Sequence, residues 1–238
     1  MKLAMNIKPF LVLSRAFFFL GVSIGFALSA ILIWNNLESS RYFFTSLTYA
    51  PFKGLRCPVM IAPTEKGSVA AAFNNPTNED DNFFYRAEIS GKAFSKRRVE
   101  GQTVVPPHQS KTIRFAVNAN DVDLMFFILV KITIMPNSVH PSQQATCGIM
   151  VANLLELKGA QVSGMALFLS LSGIVIGLGS WQQTRIKADR EMRRIALALG
   201  TVVLFTLLTA YMGWWGIAIA LSVITVLLSI MFMRFALA

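Results

Sequence analysis

Two cysteines, two histidines and one run of acids are the residues of this chain best suited to carry chemistry. As thiolates, Cys57 and Cys147 could ligate a metal or a haem, but no histidine stands at ligand spacing from either of them. A disulfide between them is therefore the favoured interpretation. His108 and His140 each lie beside proline in a predicted loop, isolated from other ligands. The sequence predicts the Cys57–Cys147 disulfide, no metal site and no cofactor.

Two charged clusters lie between the cysteines. Glu79-Asp80-Asp81 lacks the spaced ligands of a calcium loop, so a solvated turn is its preferred interpretation. A basic cluster that could contact an acidic partner or lipid headgroups is formed by Lys92, Lys96, Arg97 and Arg98. A charged edge strand that hinders aggregation would explain the same four residues. Both interpretations of the basic cluster stay open.

No catalytic constellation accompanies these residues. The sequence contains no Gly-x-Ser-x-Gly, no His-Glu-x-x-His, no Gly-rich phosphate loop and no Ser-x-x-Lys pair. Its four long apolar windows also lack ionisable side chains, which usually mark ion pathways, proton relays or intramembrane catalysis. We therefore expect no catalytic residues, and these patterns argue against a stand-alone pump, transporter or intramembrane protease.

The elements that would position the polar residues begin with these four apolar windows. Each is free of Asp, Glu, Lys, Arg and His and is long enough to cross the hydrocarbon core as a helix, which takes about 17–25 residues. The windows cover residues 16–34, 162–181, 195–211 and 214–233. The first could instead be a cleaved signal peptide, but it exceeds the usual apolar region of about 7–15 residues. We interpret it as an uncleaved span.

The net charge of +10 is concentrated around the predicted spans. Residues 35–160 hold 13 Lys and Arg against 10 Asp and Glu, so they carry only +3. Most of the excess lies in the tail 1–15 and in the loop 182–194, whose basic residues are Arg185, Lys187, Arg190, Arg193 and Arg194. Under the positive-inside rule the tail, the loop and both termini are cytoplasmic and residues 35–160 are extracytoplasmic.

This topology accounts for the basic charge, so no nucleic-acid partner is expected. The sequence predicts a multi-pass protein of the plasma (inner) membrane, and a bacterial source is favoured.

Between the first two spans the apolar period changes to two, which is typical of half-buried strands. Turns rich in Pro, Gly and Asn separate the apolar sets. The sets begin at Cys57, Val69, Phe83, Ile113, Ile128 and Cys147, with a weaker strand at 98–105. Seven short strands in about 100 residues are typical of an immunoglobulin-like β-sandwich. It would cover residues 56–153, follow a connector at 35–55, and pair its first and last strands in parallel.

Small residues recur at four-residue spacing in two of the spans. They are Gly21 and Gly25 in the first span and Gly173 and Gly177 in the second. Small residues at this spacing let two helix backbones approach closely. We predict helix packing at these four glycines, either within the chain or with another subunit.

The predicted fold class is an α+β membrane protein with four transmembrane helices and an extracytoplasmic immunoglobulin-like β-sandwich between helices 1 and 2. The favoured function is a non-enzymatic accessory or scaffold subunit of a larger integral membrane complex, whose β-sandwich binds or braces a partner. Its expected partners are other integral membrane subunits and the lipid bilayer, and the sequence leaves a small-molecule ligand undetermined. The alternatives are an auxiliary subunit that modulates a transporter or channel, and a membrane-bound enzyme with its site in the external domain or shared with a partner.

Overall fold

A long N-terminal helix precedes the strands of this α+β protein, and three helices follow them. The computed structural model describes residues 7–45, 49–136, 141–154, 157–183 and 190–237, with side chains within 12–45, 49–136, 141–154, 157–180 and 193–234. The helices are α1 (Ile7–Tyr42), α2 (Gly159–Gln183), α3 (Arg190–Tyr211) and α4 (Trp215–Leu237). The strands are β1 (Ala50–Pro51), β2 (Leu55–Arg56), β3 (Met60–Ile61), β4 (Gly67–Asn74), β5 (Asp81–Gly91), β6 (Ser95–Val105), β7 (Ser110–Val117), β8 (Phe127–Ile134) and β9 (Gln143–Val151).

The chain forms two compact units. The helical unit comprises Met1–Ile33 and Ser163–Ala238, and the β-unit comprises Trp34–Val162. All four helices contain apolar stretches, of 19 to 31 residues, that are long and apolar enough to cross a membrane. Length and composition therefore support a membrane protein.

The glycines of α1 and α2 pack against each other within the helical unit. A Cβ atom on Gly173 would lie 2.8 Å from the carbonyl oxygen of Phe17 and 2.9 Å from the Cα of Gly21. The hydroxyl of Ser170 donates a 2.9 Å hydrogen bond to the carbonyl oxygen of Gly21. Backbone contacts this close require residues without a side chain. The structure places all four predicted packing residues in or beside this contact: Gly21, Gly25, Gly173 and Gly177.

Two sheets form the β-unit. The larger has the order β1–β9–β8–β5–β6, with β3 also paired to β9, and the smaller has the order β2–β4–β7. β1 and β3 run parallel to β9, so the predicted parallel pairing of first and last strands is present. Alternate residues of both sheets bury one shared apolar core. Its fully buried members include Val69, Ala71, Phe73, Ala87, Ile89, Ile128, Val130, Ile132 and Ile149.

The predicted first strand, from Cys57 to Ile61, is divided between the two sheets. β2 pairs with β4 in the smaller sheet, and β3 pairs with β9 in the larger one. Pro58 lies between β2 and β3 and has no N–H to donate to a ladder, which favours a crossing at this point. The weak strand predicted at 98–105 is the 11-residue β6. Its first half is largely exposed, so its sequence lacks a strong apolar alternation.

α1 continues for eight residues beyond Trp34, into the segment predicted as a connector. These last turns lie on the outer face of the larger sheet. The Asn35 amide donates to the carbonyl oxygen of Val59 at 2.9 Å, and the Ser39 hydroxyl donates to that of Cys147 at 2.9 Å. The sequence predicts a connector at 35–55 and leaves open whether its aromatic run lies in the interface or forms a short helix against the β-sandwich. In the structure α1 continues on the sheet as far as Tyr42. The bonds from Asn35 and Ser39 to carbonyl groups of the β-unit stabilise this part of the helix.

Two sheet residues make the helix contact possible. A Cβ atom on Gly148 would collide with the backbone carbonyl of Asn35, so only glycine admits the helix at this distance. Leu129 points away from the shared core but is fully buried, because Phe43 packs over it together with Phe127. The first half of β8 is therefore buried on both faces, which the period-two pattern did not predict.

We expect Gly173→Ala to lower the melting temperature of the protein in detergent. The added methyl group would meet backbone atoms of α1 rather than a flexible side chain, and such overpacking costs about 1–3 kcal/mol. Gly164→Ala, in the same helix, is the matched control, since nothing lies within 4 Å of its Cβ position. The control should gain up to about 1 kcal/mol from helix propensity. Equal melting temperatures for the two variants would contradict close α1–α2 packing.

Candidate interaction surface of the β-unit

Three segments meet at one end of the β-unit and form a surface that we call the tip. It consists of residues 41–44 at and just after the end of α1, residues 92–96 in the β5–β6 turn and the start of β6, and residues 123–126 before β8. Phe127, the first residue of β8, pairs with Met150 near the end of β9. The tip is therefore at the end of the β-unit where β9 finishes and the chain continues into α2.

Asp123 joins the three segments of the tip. Its side chain is largely buried, at 9% exposure. One carboxylate oxygen accepts hydrogen bonds from the hydroxyl of Tyr42 at 2.8 Å and from the backbone N–H of Phe94 at 3.0 Å. The other oxygen accepts from the N–H of Leu124 at 2.9 Å. Hydrogen bonds to an ionised group are stronger than neutral ones, so this carboxylate holds the tip together.

Aromatic rings and a lysine continue this network towards the surface. The rings of Tyr42 and Phe94 stack with their centroids 6.1 Å apart and their planes 14° from parallel. The Lys96 ammonium lies 5.3 Å from the ring centroid of Tyr42 and 5.2 Å from that of Phe43. These distances are within the range of a cation–π interaction. The ammonium of Lys96 thus lies over the two rings, and Lys96 as a whole remains exposed to solvent.

The tip holds strained backbone and exposed apolar side chains together. Six non-glycine residues among those described have positive φ, and five of them lie in the tip: Phe44, Ala93, Phe94, Leu124 and Met125. The left-handed conformation costs such residues roughly 1–2 kcal/mol each, and strain of this kind clusters at functional surfaces. Three of the five are large and exposed: Phe44 at 90%, Phe94 at 69% and Met125 at 91%.

The predicted basic cluster is divided among different contacts. Lys92 and Lys96 belong to the tip and are exposed. The guanidinium of Arg97 lies 3.2 Å from the buried carboxylate of Asp121 and also donates to a backbone carbonyl. Arg98 forms an ion pair with Glu88 at 3.3 Å. Both arginines therefore have structural contacts within the fold. Of the four basic residues, only Lys92 and Lys96 remain as candidates for contact with a partner or with lipid.

Sequence reasoning missed the apolar half of the tip. Phe94 lies in a three-residue turn without glycine, and Met125 lies in an irregular segment where no period operates. For the aromatic run from Arg41 to Phe44 the sequence allows either a position in the membrane interface or a short helix against the β-sandwich, and the structure places Arg41 and Tyr42 in α1. A large apolar residue in a turn that would favour glycine is the signal that could have identified this surface.

The other predicted residues lie outside the tip. Cys57 and Cys147 form the predicted disulfide, with Cα atoms 6.5 Å apart, and it joins the β2–β3 crossing to β9. His108 bonds to the side chain of Asn78 at 2.8 Å on the exposed surface. Residues 140, 185 and 187 lie outside the described part of the chain. Arg190 begins α3, and Arg193 and Arg194 are exposed in its first turns. Within the described ranges, no group of three or more potential metal ligands occurs.

The first turn of α2 is held on the β-unit by a carboxylate. One oxygen of Glu65 accepts from the N–H of Gly159 at 2.8 Å and from the N–H of Ala62 at 3.0 Å. A carboxylate at a helix N-terminus satisfies an unpaired N–H and interacts favourably with the helix dipole. Glu65 thus fixes the start of α2 at the same end of the β-unit as the tip.

Comparison with known proteins does not identify a family. No protein-family model and no curated protein matches the sequence. Among solved structures, a Bacteroides uniformis β-glucuronidase is similar over 41% of this chain and 12% of the enzyme, with 8% identity and a TM-score of 0.32. A Paenibacillus cycloisomaltooligosaccharide glucanotransferase is similar over 44% of this chain and 14% of the enzyme, with 11% identity and a TM-score of 0.34. The chain spans at most 14% of either enzyme, and likeness at this level carries no argument about function.

We expect Tyr42→Phe to destabilise the β-unit. The substitution removes the 2.8 Å hydrogen bond to the buried Asp123 carboxylate, and a bond to a charged group contributes about 1.5–3 kcal/mol. Tyr49→Phe is the matched control, because Tyr49 is exposed. Urea unfolding followed by near-ultraviolet circular dichroism measures the difference. Equal midpoints for the two variants would show that Asp123 does not hold the tip together.

Proposed function

We propose that the chain is a non-enzymatic accessory subunit of a larger integral membrane complex. Its four helices would span the plasma (inner) membrane with both termini in the cytoplasm. The β-unit would be an extracytoplasmic immunoglobulin-like β-sandwich that braces a partner. Two sheets with one shared core, a disulfide and an anchored helix make a rigid domain suited to this role.

The observation that carries the proposal is the division of glycines between two faces of α2. Gly173 faces α1, whereas nothing lies within 4 Å of a Cβ atom built on Gly164 or Gly179. At 3.6 residues per turn, Gly164 lies about 180° around the helix from Gly173. The open glycines therefore belong to a second face, which α1 does not cover.

Large apolar residues accompany the open glycines. At helical spacing Phe168 and Val175 fall on the same side of α2 as Gly164, and both are exposed. We call this side, with Gly164 and Gly179, the open face of α2. Glycine offers lipid little apolar area but lets a neighbouring helix approach closely. Only 22% of the apolar stretch of α2 is buried, so a partner helix has room to pack there.

A photo-crosslinking amino acid at Phe168 tests the proposal in membranes of the source organism. We expect a crosslink to one discrete membrane protein, because the open face would contact a partner helix. The same crosslinker at Phe205, an exposed residue of α3, is the control and should not capture that protein.

Substitution at the open glycines sharpens this test. Gly164→Leu should abolish the Phe168 crosslink by filling the space for the partner backbone. Gly216→Leu, at a glycine of α4 that is equally open, should leave the crosslink unchanged. A stable monomer in mild detergent with no crosslink at Phe168 would contradict the proposal.

The identity of the captured protein separates the alternative functions. If it is a transporter or channel, the chain is an auxiliary subunit that modulates it. Catalytic turnover by the monomer would instead favour a membrane-bound enzyme.

A further inference from the structure

The tip lies at the end of the β-unit from which the chain enters α2. Val151, the last residue of β9, donates its N–H to the carbonyl oxygen of Phe126 at 2.7 Å. Beside it, Ile61 of β3 pairs with Val151, and Gly159 packs so closely on Met60 that a Cβ atom would clash. The tip and the first turn of α2 therefore share one end of the β-unit. If α2 spans a membrane, as the proposed function requires, this end is brought to the bilayer surface.

The exposed charged residues of the tip are basic. Arg41, Lys92 and Lys96 are exposed in the tip. The acids near them, Asp121 and Asp123, are buried and bonded within the fold.

The acids of the opposite end are in contact with solvent. Glu79 and Asp80 are exposed in the turn between β4 and β5, where β5 begins. The tip therefore presents exposed cations without an exposed acid, whereas the opposite end carries Glu79 and Asp80 together with the exposed Lys111. The positive charge of the tip complements an anionic surface.

The apolar side chains of the tip interleave with its cations. Phe44, Phe94 and Met125 are exposed on three separate segments, each at a backbone position with positive φ. Apolar side chains flanked by lysines are the composition that enters the boundary between lipid headgroups and acyl chains. Turns projecting from strand ends present protruding side chains rather than a groove, and a fluid lipid surface can accommodate such a shape.

We propose that the tip docks on a bilayer surface that contains anionic lipid. Phe94 and Met125 enter the headgroup boundary, and Arg41, Lys92 and Lys96 contact the phosphates. This inference rests on the proposed membrane insertion of the helices. It goes beyond the accessory role because it assigns lipid, rather than a protein, to this surface.

A spin label at Met125→Cys tests the docking in the full-length protein. The native cysteines are joined in a disulfide, so the label reacts with the added thiol alone. The protein is reconstituted in nanodiscs of phosphatidylcholine, with or without an equal part of phosphatidylglycerol. Power saturation then compares collisions of the label with oxygen, which partitions into lipid, and with a water-soluble nickel chelate. Asp80→Cys, at the opposite end of the β-unit, is the matched control.

We expect the Met125 label in phosphatidylglycerol nanodiscs to collide several times more with oxygen, relative to the nickel chelate, than the Asp80 label does. Equal ratios at the two sites would overturn the proposal. Low collision rates with both reagents would mean that protein covers the tip, such as a second copy of the chain, and would also overturn it. Failure of the chain to enter nanodiscs would instead contradict membrane insertion and hence the proposed function.

Removal of the tip cations tests the electrostatic part of the docking. Each basic residue near an anionic bilayer favours binding by about fivefold, so Lys92→Gln should lower the ratio of docked to free label by about that factor. Lys111→Gln, in the first part of β7 at the far end of the β-unit, is the matched control and should leave the ratio unchanged. A ratio that is insensitive to Lys92 and equal with and without phosphatidylglycerol would overturn the assignment to anionic lipid.

Discussion

The approach of α1 to the outer face of the larger sheet is the constraint on which the β-unit depends. The helix backbone reaches the sheet at Gly148, where any side chain would collide with Asn35. From this position the polar side chains of Asn35 and Ser39 bond to carbonyl groups of the β-unit. The same contact buries Leu129 on a face that would otherwise meet water. The absence of a Cβ atom at Gly148 thus allows α1 to pack directly on the larger sheet and to bury part of its outer face.

The end of that helix also determines the conformation of the tip. Tyr42 brings a hydroxyl to the buried carboxylate of Asp123, and the carboxylate in turn fixes the N–H of Phe94. Five residues with positive φ oppose this arrangement by roughly 1–2 kcal/mol each. Charge-assisted hydrogen bonds, ring stacking and the Lys96 contact offset part of that cost. The exposed apolar side chains are therefore held in place, in contrast to those of an unconstrained loop.

Periodicity predicted the segments in which burial of alternate side chains is the one factor that determines the structure. The alternation from Val69 to Phe73 and from Ile128 to Ile134 matches the buried core, because each side chain there has one inner face to occupy. The strand prediction was wrong where a second factor acts against the alternating pattern. Between Cys57 and Ile61 an alternating pattern predicted one strand, but Pro58 interrupts the ladder and the chain changes sheets. For the connector at 35–55 the sequence left open whether its aromatic run forms a helix against the β-sandwich, and α1 extends into that segment as far as Tyr42.

The candidate surface was harder to predict, because net charge and residue type do not show which charged side chains form ion pairs or hydrogen bonds within the fold. The sequence presented Arg97 and Arg98 as equivalent to Lys92 and Lys96, but both arginines have carboxylate partners in the fold. Conversely, Asp121 is paired with Arg97, and the carboxylate of Asp123 is bonded within the fold, so neither acid is exposed at the surface of the tip. A segment of only +3 can therefore present a distinctly positive end. Contacts between residues far apart in sequence decide this distribution, so it follows from the three-dimensional fold and not from composition.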